Sequence, residues 1–446
     1  MLHRLQSSIL NKTALAAAIG VAFFSHAAFA QNVQTAPGGD PRRAGAAKVT
    51  QETGPDAAKP GDGDSERMDN AFQPKGFELG SFLLLPKIET DAIYSSNLFA
   101  TEHDAKLEYV AIVRPEFRLR SRFATHAVNV FGNMEVKRHR RYKSDDTVDG
   151  RLVADGRYDL SSTDELTAQT DFTYRNEDRG SPDSVGGAEP TPTTAYTAKL
   201  GGKHKFGRFT FKPEVEVARR TFEDVDTTGG GRINNSDRDR VEIEGQVTGS
   251  YEMFPGYAWV VAASANSRRY DDRLDDQGYD RSSRGWRVDT GVGLDLTDLV
   301  RGDLLVGYLS QNYNDVRLSD PSGFSVRATL NWTPTKLTLV VPALERSVQE
   351  TTLTNASAIV RTSASLLVRH EYARNILLTG NLSYSYDKFE GSTRADSTYE
   401  ARARATYAFT PEVHLGGEAR YKVRDSNTQN SSYDQTVIGL RLSLQM

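Results

Sequence analysis

Arg240-Val241-Glu242-Ile243-Glu244-Gly245-Gln246-Val247-Thr248-Gly249-Ser250-Tyr251-Glu252-Met253 alternates with a period of two. Apolar or small residues hold the odd positions and polar or charged residues the even ones. Successive side chains of a β-strand point to opposite faces, so the segment predicts a strand with one oily and one wet face. A soluble strand usually runs about 5–6 residues, whereas a tilted strand needs roughly 9–11 to cross a bilayer. This one is long enough to cross. The pattern recurs down the chain, closed each time by a tight turn or a long polar loop. The expected fold is all-β: a transmembrane antiparallel up-and-down barrel of about 18 strands with a polar interior.

Composition agrees. Hydrophobic residues make up 38% of the 446 and charged residues 26%. A helical membrane protein would need runs of about 20 apolar residues, and the chain has none. A barrel needs only every second residue to be apolar. The formal net charge of -4 leaves no basic footprint, so no nucleic-acid partner is expected. With no cysteine, disulfides, thiolate metal sites and cysteine nucleophiles are excluded.

The N-terminus reads as a secretory signal over residues 1–30. His3, Arg4 and Lys12 form its basic region, Ala14 to Phe24 its apolar core, and Ala28-Phe29-Ala30 a small-x-small cleavage site. Residues 31–75 are rich in Ala, Gly, Pro, Asp and Lys and bury too little to fold alone, which predicts a disordered periplasmic leader. The barrel is expected over 76–446, from a first strand at Leu79 to Tyr94 to a last one at Tyr433 to Met446. Leu337 to Leu344 is the weakest strand signal, being apolar on both faces and holding Pro342.

Connections alternate in length. Ser161-Ser162-Thr163-Asp164, Phe206-Gly207-Arg208, Phe254-Pro255-Gly256, Thr333-Pro334-Thr335, Ala373-Arg374-Asn375 and Thr410-Pro411-Glu412 have tight-turn chemistry. Asn176 to Ala195, Glu223 to Asp239, Asp271 to Arg284, Asn314 to Gly323, Lys388 to Ser397 and Asp425 to Ser432 are long and polar, and read as solvated loops. Outer-membrane barrels keep short turns in the periplasm and long loops outside, which would leave the leader and the C-terminus periplasmic. Aromatics cluster near both sets of connections: Phe206, Phe209, Tyr257, Trp259, Trp332, Tyr372, Tyr407 and Phe409 at short turns; Tyr94, Tyr109, Tyr174, Tyr196, Trp286, Phe324, Tyr386, Tyr399, Tyr421 and Tyr433 at long loops. Two interfacial girdles are expected. The last strand runs to the final residue, as closure against the first strand requires. Outer-membrane proteins usually end in Phe or Trp; this chain ends in Met446.

At Gly80-Ser81-Phe82, Leu85-Pro86, Tyr94-Ser95-Ser96-Asn97-Leu98-Phe99 and Val113-Arg114-Pro115-Glu116, the chain resembles the outer-membrane β-barrel porins encoded with exopolysaccharide assembly genes. The resemblance covers about residues 76–446. It implies an outer-membrane conduit of a polysaccharide secretion pathway, without catalytic residues.

The wet face should carry the function. The expected channel-lining residues are Arg118, Arg151, Arg157, Lys199, Lys203, Glu242, Glu244, Arg369, Arg402, Arg404, Arg420 and Arg441, with further charges such as Arg114, Asp171, Glu216 and Glu418 on the same faces. Two readings compete. Such charges can pair across strands and brace the wall, or they can act together on charged polymers or ions passing through. Arginines after Ser365 suit the carboxylate or phosphate groups of an acidic glycan. Signals for an enzyme are poor. His126, His139, His204, His370 and His414 are scattered, and no spacing suggests a metal site. Gly229-Gly230-Gly231-Arg232 lacks the Lys-Ser/Thr and helix of a phosphate loop. Asp271-Asp272 and Asp275-Asp276 show no calcium-loop pattern and read as solvated charge. No cofactor is expected. Expected partners are outer-membrane lipid and lipopolysaccharide, a polysaccharide, and a periplasmic export component docking on the leader. The alternatives are a general solute porin and a plugged structural or surface-interaction barrel.

Overall fold

The computed structural model describes residues 72–446 apart from 185, 228, 297, 298, 354 and 355. The signal sequence and nearly all of the leader lie outside the described residues. The alternating segments pair in chain order, each antiparallel to the next. The strands are β1 Phe82–Ser95, β2 Glu108–Ser121, β3 Ala127–His139, β4 Thr147–Asp159, β5 Asp164–Asn176, β6 Pro192–Phe206, β7 Phe209–Phe222, β8 Arg240–Phe254 and β9 Tyr257–Tyr270. They continue with β10 Ser283–Leu296, β11 Val300–Tyr313, β12 Ser322–Thr335, β13 Thr338–Glu350, β14 Ala358–Ala373, β15 Ile376–Glu390, β16 Ala395–Ala408, β17 Val413–Ser426 and β18 Tyr433–Gln445. The ring closes where β18 pairs with β1, from Lys87 opposite Gln445 to Ser95 opposite Val437. The Met446 amide donates to the Pro86 carbonyl at 3.2 Å, so the final residue takes part in the seam. The protein is thus a closed 18-stranded antiparallel barrel, as the alternation predicts.

Two boundaries differ from expectation. The chain turns at Gly80, whose φ of 61° suits glycine, so Phe77–Leu79 folds back as a short separate strand on Phe82–Leu84. Several strands also run past their apolar stripes. The alternation at Leu304 to Ser310 belongs to a strand of 14 residues, Val300–Tyr313. Ladder hydrogen bonds continue beyond the bilayer, where no oil–water contrast marks the sequence.

Prolines sit where a ladder is interrupted. Proline has no N–H to donate, so a strand can hold one only where a bond is missing. Register between β12 and β13 skips from Thr329–Ala343 to Trp332–Val340, and Pro342 lies in that gap. Pro115 lies where β2–β3 pairing skips from Val113–Val136 to Glu116–Asn133. Pro213 lies where β6–β7 pairing skips from Gly201–Glu214 to His204–Phe211. The weakest strand signal is therefore a full strand with a permitted proline.

Exposure separates the two faces. In β8, Ile243 is 48% and Val247 43% exposed, whereas the Glu242 side chain is 13% exposed. All eight aromatics at the short turns are exposed, as a girdle requires. At the other rim Tyr109, Tyr196, Trp286, Phe324, Tyr386, Tyr399 and Tyr421 are exposed, and Tyr94 and Tyr174 are half-buried. Tyr433 is a correction: it is buried and points inward. Ile438, Leu440, Leu442 and Leu444 hold the outward positions of β18, so an odd-numbered residue must face in.

Candidate functional site: the charged wall and the bridged mouth

Contacts between strands that are not neighbours establish which face lies inside. Arg268 on β9 pairs with Glu350 on β13, and Glu350 also accepts from Tyr270 at 2.8 Å and from Tyr313 on β11 at 3.1 Å. Arg327 on β12 reaches Asp289 on β10 at 3.4 Å and Gln246 on β8 at 3.5 Å. Side chains can meet over such strand separations only through the interior.

Along the wall, charges of opposite sign meet across many of the strand pairs. Across the seam, Asp91 on β1 accepts two bonds of 2.7 Å from Arg441 and pairs on its other side with Arg114. Arg114 also pairs with Glu135, Lys137 lies 2.9 Å from Glu135 and 3.2 Å from Asp149, and the chain of charge thereby spans β18 to β4. Arg151 donates to Asp171 at 2.8 Å. Lys199 meets Glu216 at 2.9 Å, and Glu242 is held by Arg240 at 2.8 Å and Arg220 at 3.2 Å. Arg118 lies 3.2 Å from Glu116 and over the Phe131 ring, and Arg157 lies 2.9 Å from Asp159. On β16 and β17, Arg402 sits directly opposite Arg420 and Arg404 opposite Glu418. Glu418 accepts from Arg404 at 2.9 Å, Arg402 meets Glu400 at 2.9 Å, and Arg420 donates to Gln435 at 2.9 Å. Lys203 faces Glu165 in register, Glu244 faces Glu216, and Arg369 is buried opposite Thr379 on β15. The sequence-derived set is thus spread around the circumference. Its one arginine grouping, Arg402, Arg404 and Arg420, lies on β16 and β17, with Arg441 on β18.

The long-loop end is built differently. Residues 177–191, between β5 and β6, do not stand free in solvent. Arg424 on β17 donates to the Gly180 carbonyl, and a Cβ at Gly180 would lie 2.5 Å from the Tyr433 hydroxyl. Only glycine permits that approach. Arg179 donates to Asp145 at 2.7 and 3.1 Å and to the Ala188 carbonyl at 3.0 Å. Asp183 pairs with Arg238 at 3.1 Å and accepts from Thr351 Oγ1. Thr351 follows β13, eight strands round an 18-strand ring from β5 and nearly opposite it. The loops therefore meet across the mouth. Below Thr351, the buried Arg281 donates to the carbonyls of Thr351 and Ala356 at 2.7 and 2.8 Å and is held by Asp275. Burial works against charge throughout. It lifts the Glu177 carboxyl above its ordinary range, while for Arg238 the carboxylates of Asp183 and Glu177 outweigh it and hold the guanidinium charged.

This network was invisible to sequence reading, and it corrects two expectations. The segment 176–195 is not simply a solvated loop, and Asp275 is buried with Arg281 rather than exposed. The only hint was compositional: Arg179, Arg238 and Arg281 stand in loops otherwise rich in Asp and Gly. The histidines remain separate. His204 meets Asp164, and His370 meets Thr338 Oγ1 at 3.0 Å. Among the described residues no cluster of three or more acidic, His or Cys side chains is arranged to hold a metal.

Residues 70–446 match the family model described as "Putative beta-barrel porin 2". This chain belongs to that porin family. It is a β-barrel porin of the bacterial outer membrane. Similar solved structures include OccK2 (OpdF) of Pseudomonas aeruginosa in complex with glucuronate, with 12% identity, a TM-score of 0.45, and 83% of this chain and 100% of that chain covered. OccK3 (OpdO) of the same organism has 15% identity and a TM-score of 0.41, covering 81% of this chain and 95% of that one. The alcaligin outer-membrane receptor FauA of Bordetella pertussis has 11% identity and a TM-score of 0.39, covering 81% and 76%. Comparison with curated proteins finds no match.

Proposed function

We propose that this porin is a conduit for an exopolysaccharide leaving the cell, and that it does no chemistry on its cargo. The observation that carries the reading is the arginine grouping on β16–β17. Arg402 and Arg420 face each other across one register position and Arg404 lies next to them; Arg402 meets both Glu400 and Glu418, and Arg404 meets Glu418. Guanidinium groups bind carboxylates in forked geometry. Contacts divided between Glu418 and a passing acidic sugar would be weak enough to exchange. Barrels of 16–18 strands leave an aqueous channel, and fixed charge on its wall biases what moves through. The twelve sequence-derived residues are proposed as channel lining on this basis.

The orientation proposed puts the long loops outside and both termini in the periplasm. A chain without cysteine makes this simple to test. Thr393→Cys in a long loop should react with an impermeant maleimide on intact cells, and Asn375→Cys in a short turn should not. Outer-membrane lipid and lipopolysaccharide would surround the apolar band. Residues 31–75 are proposed to dock a periplasmic export component, so deleting them behind the signal should leave the barrel inserted but impair export; unimpaired export removes that idea.

Planar-bilayer conductance is the main test. An acidic polysaccharide added on the short-turn side should block the current, and a neutral one of equal size should not. Deleting the gene should also remove surface polymer. A second reading, a general solute porin, draws on the bridging of the mouth by residues 177–191, which leaves less width for a polymer. It predicts a current indifferent to both polysaccharides. A permanently silent protein would instead be a plugged structural barrel.

A further inference from the structure

Outside the barrel, at the long-loop rim, three arginines depart from the apolar face. Arg219 lies near the end of the outward row of β7, and register sets it opposite Val241 of β8, which stands opposite Arg269 of β9. Arg284 of β10 lies one pair further down, opposite Ser267. A groove of about 610 Å3 runs between them, with Val241 and Ile243 as its floor and Ser267, Arg269, Asp271 and Arg284 on its walls. The outward girdle residue Trp286 is two positions along from Arg284, and its ring lies 5.9 Å from that of Tyr308. Aromatic girdles mark the edge of the hydrocarbon. Two residues of strand advance about 6–7 Å, so the guanidinium groups stand at headgroup depth.

The local charge is unbalanced. Arg219 is closed by a two-pronged pair with Asp271, which it holds below the ordinary carboxylate range, and Asp239 also lies near Arg219. Asp271 exerts a weaker pull on Arg269. Arg269 and Arg284 are both exposed and make no ion pair among the described residues.

We propose that Arg269 and Arg284 form a seat for a phosphorylated glycolipid of the outer leaflet. The two guanidinium groups take a headgroup phosphate in forked geometry, and an acyl chain lies over Val241 and Ile243. Apolar floor and cationic rim together match an anionic amphiphile better than a small anion. The site rests on the orientation proposed above, which the cysteine labelling reads independently.

The test is native mass spectrometry of the detergent-purified full-length protein titrated with diphosphorylated lipid A, dephosphorylated lipid A, phosphatidylglycerol or inorganic phosphate. Diphosphorylated lipid A should bind best, and Arg269→Gln with Arg284→Gln together should weaken it about tenfold or more, the loss of charged hydrogen bonds to one phosphate. Dephosphorylated lipid A should bind weakly and equally to both proteins. Unchanged single-channel behaviour of the variant would show that the barrel is intact. Equal binding of lipid A by native and variant protein would overturn the seat. So would displacement of the lipid by millimolar inorganic phosphate, which would make it a free-anion site. Preference for phosphatidylglycerol over lipid A would overturn the outer-leaflet assignment, and a change of oligomeric mass in place of lipid count would make the groove a subunit interface.

Discussion

The wall of this barrel and its mouth are both held by charged side chains, yet they are built on opposite plans. On the wall, many partners stand on the same or on adjacent strands at set register positions, as Arg151 with Asp171 or Arg404 with Glu418, while Arg327 reaches over the interior to Asp289 and Gln246. At the mouth, partners come from far round the ring, as Asp183 with Thr351 or Gly180 with Arg424. A wall pair adds little to a ladder that already holds its two strands together. A mouth contact holds a loop over the opening. Removing charge from the wall should therefore alter what passes, and removing it from the mouth should alter whether anything passes.

The largest expected effect follows from replacing residues 178–190 with a short Gly-Ser linker. If the loop bridges the mouth in solution, single-channel conductance should rise severalfold; an unchanged current would erase the contrast between the two regions. Gly180→Val should act in the same direction but less strongly. Its side chain has no room beside the Tyr433 hydroxyl, so the loop must shift, and the current should become noisier or larger. Gly180→Ala with Tyr433→Phe relieves part of the clash and should restore a quieter current.

On the wall, changing Arg402, Arg404 and Arg420 together to glutamine should move ion selectivity towards cations without loss of insertion, measured as a shift in reversal potential under a salt gradient. The Arg402 and Arg404 side chains are only 7% and 11% exposed; if lumen water reaches them as an open channel requires, each pair contributes on the order of 0–1 kcal/mol, and the temperature at which the barrel unfolds on a semi-native gel should barely change. Collapse of the barrel would mean that the wall pairs are structural in the way the mouth contacts are.

The smallest effect concerns pH. In the loop after β11, Arg317 donates to Asp315 at 2.9 and 2.6 Å, and the Asp280 amide adds a bond at 3.2 Å. The Arg317 guanidinium holds the Asp315 carboxyl far below its usual range. A carboxyl lowered in the folded state supports the fold fully above the unfolded value of about 4. That support is lost as pH falls through the lower folded value. Amide exchange in residues 314–321 should be the same at pH 6 and pH 5, and should quicken at pH 2–3 after correction for intrinsic rates. Asp315→Asn should remove the difference.

Sequence alone was enough for the ring of strands, their number, and the choice of oily and wet faces. The reason is that side-chain direction in a strand alternates strictly, so a stretch such as 240–253 carries its own orientation. Sequence reading misplaced Tyr433, which its position at a strand end assigned to the girdle although the parity of β18 turns it inward. Adjacent-strand charge pairing was foreseeable in kind, since neighbours in chain order are neighbours in the ring. The partners at the mouth were not. Loops have no period, and Gly180 meets Tyr433, or Asp183 meets Thr351, only because an 18-strand closure brings distant segments of chain over one opening. Tertiary structure likewise decided the groove of Arg269 and Arg284, because the groove exists only once the register of β8, β9 and β10 sets their outward residues side by side.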